Sequence, residues 1–415
     1  MSRAAEILIP ARLGTGFRWL LASSWSTNLG DGVATAAGPL LVASLTQDPF
    51  LISLAAMMRW APPLVFGLYA GVLADRHDRR RVVIAANAAR VAVLGVLTVM
   101  LVTGTVSVFV ALAALGLLAT AEVFADNTAT TLTPMLVHRD DLATANARLQ
   151  TGFITLNQLV GPSIGAALFA AGVMWPFAAQ LVLVAAGVLL VSRVVLPAHG
   201  RDASQLRTGV RRDIAEGFRW VVRNPAVRTL MLTILIFNVT FGAAWSVLVL
   251  YATQRLGLGA IGFGLLTTVS AVGGILGTGL YGWLTRRVSL GNVMRAGLVI
   301  ETLTHLALAV TTSAWVAMLI FFVFGAHAFI WHTTSITVRQ RAVPAHLQGR
   351  VTSVNTIGVY GGLVVGSAVG GALATRYGVT APFWFAFAGS AVFVILLWRE
   401  MTRIAHADER PHPAD

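Results

Sequence analysis

The sequence predicts an all-α membrane protein with twelve transmembrane helices arranged as two pseudo-symmetric six-helix bundles. Three observations predict it: an apolar composition, charges gathered into clusters, and the spacing of the apolar runs between those clusters. Of 415 residues, 56% are hydrophobic and 11% charged, with a mean hydropathy of +0.76. A soluble domain of this length could not enclose so much apolar surface, and soluble chains carry about a quarter charged residues. Lipid is the expected solvent for most side chains.

Crossing roughly 30 Å of hydrocarbon takes about 20 helical residues. Twelve runs of that order follow one another, at about 18–45, 50–74, 82–103, 106–133, 150–171, 174–196, 228–254, 260–284, 292–312, 314–337, 351–374 and 380–401. Met1 to Phe17 lacks the apolar core and small-residue cleavage site of a secretory signal, so the first run is expected to stay in the mature protein. Arginines fix the orientation. Arg3 and Arg12, the Arg76–Arg81 cluster, Arg139 and Arg148, the run Arg201–Arg228, Arg286 and Arg287, Arg339–Arg350 and Arg399–Arg410 fall on one side, with Arg255 and Arg376 as exceptions. The positive-inside rule then places both termini in the cytoplasm of a cell bounded by this plasma (inner) membrane.

Composition also excludes several functions. Cysteine and lysine are absent, which removes disulfides, thiolate nucleophiles and the lysine of an ATP-binding loop. The net charge of +13 does not indicate nucleic acid, because the arginines are strung between apolar spans rather than gathered on a soluble surface. "GLGAIG" (Gly257–Gly262) follows an apolar span rather than a strand, and "GPSIG" around Ser163 lies within one, so neither a dinucleotide loop nor a nucleophile elbow is expected. No enzyme constellation emerges.

The longest polar interruption, Pro197 to Arg228, divides the spans six and six. The expected organisation is a first bundle over 1–196, a linker over 197–227, a second bundle over 228–401 and a cytoplasmic tail over 402–415. Within the linker Val210, Ile214, Phe218, Val221 and Val222 recur at helical spacing among arginines, the pattern of an amphipathic helix on the inner membrane surface. Internal repetition supports the division. "FGLYAGVLADR" (Phe66–Arg76) is echoed by "GTGLYGWLTRR" (Gly277–Arg287), and "GPSIGAAL" (Gly161–Leu168) by "GSAVGGAL" (Gly366–Leu373). Repeated six-helix halves are an arrangement of secondary transporters.

The stretch "GVLADRHDRRRV" resembles the loop 2–3 signature of the major facilitator superfamily, Gly-x-Leu-x-Asp-Arg-x-Gly-Arg-(Arg/Lys). It matches at Gly71, Leu73, Asp75, Arg76, Arg79 and Arg80, with Asp78 in place of the second glycine, a departure common in the macrolide and siderophore exporter branch. Gly161, Pro162 and Gly165 in "GPSIGAAL" resemble the span 5 signature associated with antiporters of that superfamily. "AEVFADNTATTLTPMLVHRDDLATANARL" and "IAEGFRWVVRNPAVR" also look like the exporter branch. The resemblance spans essentially the whole chain. It implies a central cavity lined by spans 1, 4, 7 and 10 that opens alternately to either side. It further implies that Asp75 caps the start of span 11 near Gly349 and Arg350, and that Arg79 reaches Asp126, a network closing the cytoplasmic side.

Charges within spans cost on the order of 3 kcal/mol each at mid-membrane, so each needs a reason. Asp31 lies in span 1; Glu122 and Asp126 share one face of span 4, four residues apart. These three are the proton-coupling candidates, since burial allows a carboxyl group to exchange its proton near neutral pH. The alternative for Asp31 is a contact to Arg59 or Arg90, and Arg90 is expected to neutralise an acid. Asp126 is expected to serve the closing network first. Asn28, Asn238, Trp245, His327 and Trp331 fall on the cavity spans that the resemblance implies, with His327 and Trp331 on one face. Glu301 and His305, four apart in span 9, are expected to pair with each other. The span 5 glycines should act mechanically, by letting helices approach and bend.

These readings converge on a secondary active exporter that moves a hydrophobic or amphiphilic small molecule outward in exchange for protons. It would need no cofactor beyond the proton gradient and would function as a monomer in the bilayer. The alternatives are a dedicated siderophore, secondary-metabolite or lysolipid exporter, or a membrane sensor or scaffold that does not transport.

Overall fold

The computed structural model describes residues 11–196 and 210–400, and among them no strand forms. The expected tail at 402–415 and the first part of the linker, 197–209, lie outside the described residues. Thirteen principal helices follow in order: α1 Gly14–Leu45, α2 Pro49–Arg76, α3 Arg79–Thr103, α4 Val108–Thr130, α5 residues 142–171, α6 Trp175–Val191, α7 Val210–Arg223, α8 Pro225–Trp245, α9 Ala260–Arg287, α10 Leu290–Val310, α11 Ala314–Ala342, α12 Gln348–Tyr377 and α13 Ala381–Leu397. Nine helices among the described residues are long and apolar enough to cross a membrane, and the chain is a multi-pass membrane protein. The nine do not include α1, whose 32 residues carry Ser23, Ser24, Ser26, Thr27, Asn28 and Asp31, or α6 and α13, with 17 residues each.

Two compact units organise these helices. The first comprises Met1–Gln47, Val65–Gln205 and Gly259–Thr268; the second comprises Asp48–Leu64, Leu206–Leu258 and Val269–Asp415. Helices α2 and α9 therefore each contribute to both. Within the first unit α1 packs against α5 and α6, and α3 against α4 and α6; within the second, α8 packs against α12 and α13, and α10 against α11 and α13.

The repeated sequences occupy equivalent places. Helices α2 and α9 have 28 residues each and end at the arginines of their shared frame, Arg76 and Arg287. A Cβ at Gly161 of α5 would lie 2.5 Å from Gly32 Cα of α1, and one at Gly165 would strike the Val33 carbonyl. The echo on α12 repeats this against α8, where Gly366 faces Val239 and Gly370 faces Ala243. Small residues thus bring two backbones into contact in each unit.

Helix ends follow local chemistry. Asp78 is the N-cap of α3, its Oδ1 accepting from the Arg81 backbone N–H at 3.1 Å. That is the structural use of the residue standing where the superfamily signature has glycine. Asp78→Ala is expected to cost about 1 kcal/mol and Asp78→Gly only a few tenths. Thermal unfolding of the two variants in detergent checks this ordering. At the other end of α3, Gly104 takes the left-handed conformation (φ 67°) while Thr105 donates to Met100 O at 3.0 Å, closing the helix. Arg255, an exception to the arginine asymmetry, donates to the carbonyls of Val310 and Thr311 at 3.1 and 3.2 Å and so neutralises the end of α10.

Helix α5 starts earlier than its apolar run suggests and is not uniform. Leu142–Gly152 is α-helical, Phe153–Val160 is a π-helix, and Gly161–Ala171 is α-helical again. The cause sits at the junction. Pro162 has no N–H to donate, and the Gly161 N–H reaches back five residues to Leu156 O. Thr268 Oγ1 donates to Leu159 O at 3.1 Å, satisfying one carbonyl of the widened turn.

Candidate functional site

Four buried polar side chains meet inside the first unit. Asp31 on α1, 4% exposed, forms an ion pair with Arg90 on α3, 1% exposed. Arg90 Nη1 donates to Asn87 Oδ1 at 2.9 Å, and Gln180 Nε2 on α6 donates to Asp31 Oδ1 at 3.3 Å. Three helices are thereby tied together by groups that lipid could not solvate. Of the two arginines offered as partners for Asp31, the structure selects Arg90. Arg59 stacks over Trp60, 5.3 Å from its ring centroid, in the second unit. Sequence reasoning misses Asn87 and Gln180, although Gln180 is the lone polar side chain in "WPFAAQLVLVAAG" and Asn87 lies one turn before Arg90.

Glu122 and Asp126 stand one turn apart on α4; Glu122 is half-buried and Asp126 is exposed. Both act electrostatically on Arg90 together with Asp31, and Asp126 feels Glu122, Asp31 and Arg90. Three carboxylates therefore share the field of one guanidinium, and that guanidinium is already engaged by Asp31. Asn28 turns back on its own helix, Nδ2 donating to Ser24 O at 2.8 Å.

The loop 2–3 motif spans the end of α2 and the start of α3. Gly71 and Leu73 lie in the last turns of α2, Arg76 is exposed, and the Asp75 side chain is outside the described residues. Arg79 donates to Ala74 O at 3.4 Å and to Met135 Sδ at 3.0 Å, and Arg80 donates to Ser192 O. Asp126 lies in the field of Arg90. Arg350, at the start of α12, pairs with Asp213 at 3.1 Å and Glu216 at 2.7 Å, both on α7.

A second buried cluster lies in the second unit. The rings of Phe241 and Trp245 on α8 stack at 4.4 Å, and Trp245 also meets Phe321 and Phe324 of α11 at 5.4 and 4.7 Å. The expected Glu301–His305 couple is corrected here. Glu301 Oε2 is 3.5 Å from His327 Nε2 on α11, whereas both His305 nitrogens are buried without a hydrogen-bond partner among the described residues and its ring lies edge-on to Trp245 at 5.9 Å. Spacing along α10 allows either partner; the neighbouring helix supplies the nearer one. His327 and Trp331 do share a face, both packed over Gly297, and Asn238 Nδ2 donates to Ile234 O at 2.7 Å. Ser163 sits in a helix with its Oγ 2.6 Å from Thr268 Oγ1, not at a nucleophile elbow. Among the described residues no group of three or more His, Asp or Glu side chains is placed to hold a metal ion.

Apolar spans in two units with matching glycine contacts, and a charged network locked between helices, define a polytopic helical membrane protein. Residues 8–413 match the family model described as transmembrane secretion effector, and the chain belongs to that family of the major facilitator superfamily. Among curated relatives, the multidrug efflux pump Tap of Mycolicibacterium fortuitum is 29% identical over 88% of this chain and 90% of its own length. Macrolide efflux protein A of Streptococcus pyogenes is 22% identical over 85% of this chain and 87% of its own. In fold, a bacterial homologue of the iron transporter ferroportin in its inward-facing state superposes with a TM-score of 0.74 at 16% identity, covering 94% of this chain and 99% of that one.

Proposed function

We propose that the chain is a proton-coupled exporter of hydrophobic or amphiphilic small molecules, working by alternating access. Both relatives named above are efflux proteins by name, which supports the outward direction. The observation that supports proton coupling is the carboxylate cluster of the first unit: Asp31 is paired with buried Arg90, and Glu122 and Asp126, one turn apart on α4, act on the same guanidinium. Carboxylates one turn apart on a membrane-spanning helix repel when both are ionised. In this reading one of the three carboxylates carries the exchanged proton, and its release when substrate arrives couples the two fluxes.

Twelve crossings fit this reading: the nine long apolar helices, α1, and the shorter α6 and α13. At 1.5 Å per residue a 17-residue helix reaches roughly 26 Å, close to the hydrocarbon thickness once its flanking turns are added. In this reading the arginine asymmetry puts both termini in the cytoplasm of a plasma or inner membrane, and the sequence divides into bundles over 1–196 and 228–401 joined by a linker over 197–227, although the compact units exchange 48–64 and 259–268 relative to that division. No cofactor enters, and one chain suffices.

Proteoliposomes holding a pH-sensitive dye and an imposed pH gradient test the proposal. Lipophilic cations and macrolides added to the wild type are expected to evoke proton flux that disappears in Glu122→Gln and Asp126→Asn. Flux of undiminished size in both variants would remove these carboxylates from the coupling step.

A further inference from the structure

Helix α7 was expected to present one apolar face, and the structure divides that face in two. Val221 is buried against Val227, Met231, Leu347 and Val351, and Gly217 is pressed onto the Arg350 backbone, where a Cβ would lie 2.5 Å from its carbonyl oxygen. Phe218 and Val222, one turn apart, are instead 58% and 44% exposed. Beside this exposed apolar strip, Arg212, Arg219 and Arg223 recur at spacings of seven and four along one side of the helix. They line an open cleft of about 430 Å³ with Trp220, His346 and Leu347. The one acid in its wall, Glu216, is committed to Arg350 at 2.7 Å. Among the described residues no carboxylate pairs with any of the three arginines.

We propose that this cleft binds the phosphate headgroup of an anionic phospholipid. Guanidinium groups that line one cleft with no paired carboxylate among the described residues match phosphate oxygens in charge and hydrogen-bonding geometry, and His346 and Trp220 complete the wall. The occupant is a lipid rather than free phosphate because the same helix exposes Phe218 and Val222 beside the cleft. A free anion would satisfy the arginines and leave those side chains in water; a lipid satisfies both, with its acyl region against the apolar strip. The ion pairs from Arg350 to Asp213 and Glu216 then fix the lipid-bound helix to the start of α12. This site does not depend on proton coupling or on the nature of the exported molecule.

Native mass spectrometry of the purified full chain in nonionic detergent, with dioleoyl phosphatidylglycerol or dioleoyl phosphatidylcholine added, tests the assignment. Saturable retention of phosphatidylglycerol, at least tenfold tighter than phosphatidylcholine, is expected, and the triple variant R212Q/R219Q/R223Q should lose that preference. Phe218→Ser should weaken phosphatidylglycerol binding, while inorganic phosphate competes only at far higher concentration. An undiminished preference in the triple variant overturns the site. Inorganic phosphate that displaces the lipid at equal concentration, with Phe218→Ser binding as well as wild type, reassigns the cleft to a free anion and overturns the lipid. Should the triple variant lower the unfolding midpoint, Arg219→Gln and His346→Gln singly give the same reading, since each changes a side chain of the cleft wall and leaves the α7 core in place.

Discussion

Replacing Arg90 with leucine lowers the stability of the protein by about 3–5 kcal/mol, the usual cost of leaving one member of a buried ion pair without its partner. Asp31, 4% exposed and also accepting from the Gln180 amide, cannot recruit water from lipid to compensate. The double variant Asp31→Asn/Arg90→Leu is expected to recover most of the loss, because a neutral amide needs far less at that depth than a carboxylate. Unfolding midpoints of wild type, single and double variants in detergent make the check. Equal instability of the single and double variants would assign the loss to the packing of the arginine rather than to charge. Transport separates the two roles of Asp31: if its carboxylate serves only to fold the unit, the stable double variant keeps substrate-driven proton flux, and if it carries the proton, flux vanishes in a folded protein.

The second large effect is a contrast in sign between two glycines of the same unit. Gly165→Ala places a methyl group against the Val33 backbone of α1, where no rotamer change can make room. Overpacking of that kind costs about 1–3 kcal/mol and more when backbone must move. Gly95→Ala on α3 meets nothing within 4 Å and is expected to stabilise by about 0.5–1 kcal/mol through helix propensity. Gly370→Ala, facing Ala243 in the second unit, should behave like Gly165→Ala. Thermal unfolding of the three variants settles the comparison, and a stabilised Gly165→Ala would mean that the two helices are not in backbone contact.

Much of this architecture is legible in the sequence, because lipid imposes a single rule on every span: enough apolar residues, with polar ones only where a partner exists. Helix positions follow directly, and the paired glycine motifs announce two equivalent helix crossings before any coordinate is known. Partners across helices are another matter. Spacing along one helix suggests His305 for Glu301, yet His327 on the next helix stands closer, since side-chain direction and interhelical distance decide what periodicity leaves open. Asp31 could be narrowed to two arginines by charge alone, but choosing Arg90 requires knowing that α1 and α3 both border α6. The linker shows the same limit. Its apolar residues mark a helix, whereas only packing reveals that Val221 is covered and Phe218 is not.

The π segment at Phe153–Val160 has a consequence for how the fifth helix addresses its neighbours. A regular α-helix advances 100° per residue, so each residue absorbed by a widened turn shifts the rotational phase of everything beyond it by about that amount. The π segment keeps both parts of the helix on α1: Gly152 of the first meets the Trp25 ring, and Gly161 and Gly165 of the second meet Gly32 and Val33. The helix is one rod to the bilayer but carries two separate bearings, and deleting a single residue between them would turn the glycine seam away from its partner while leaving composition and length almost unchanged.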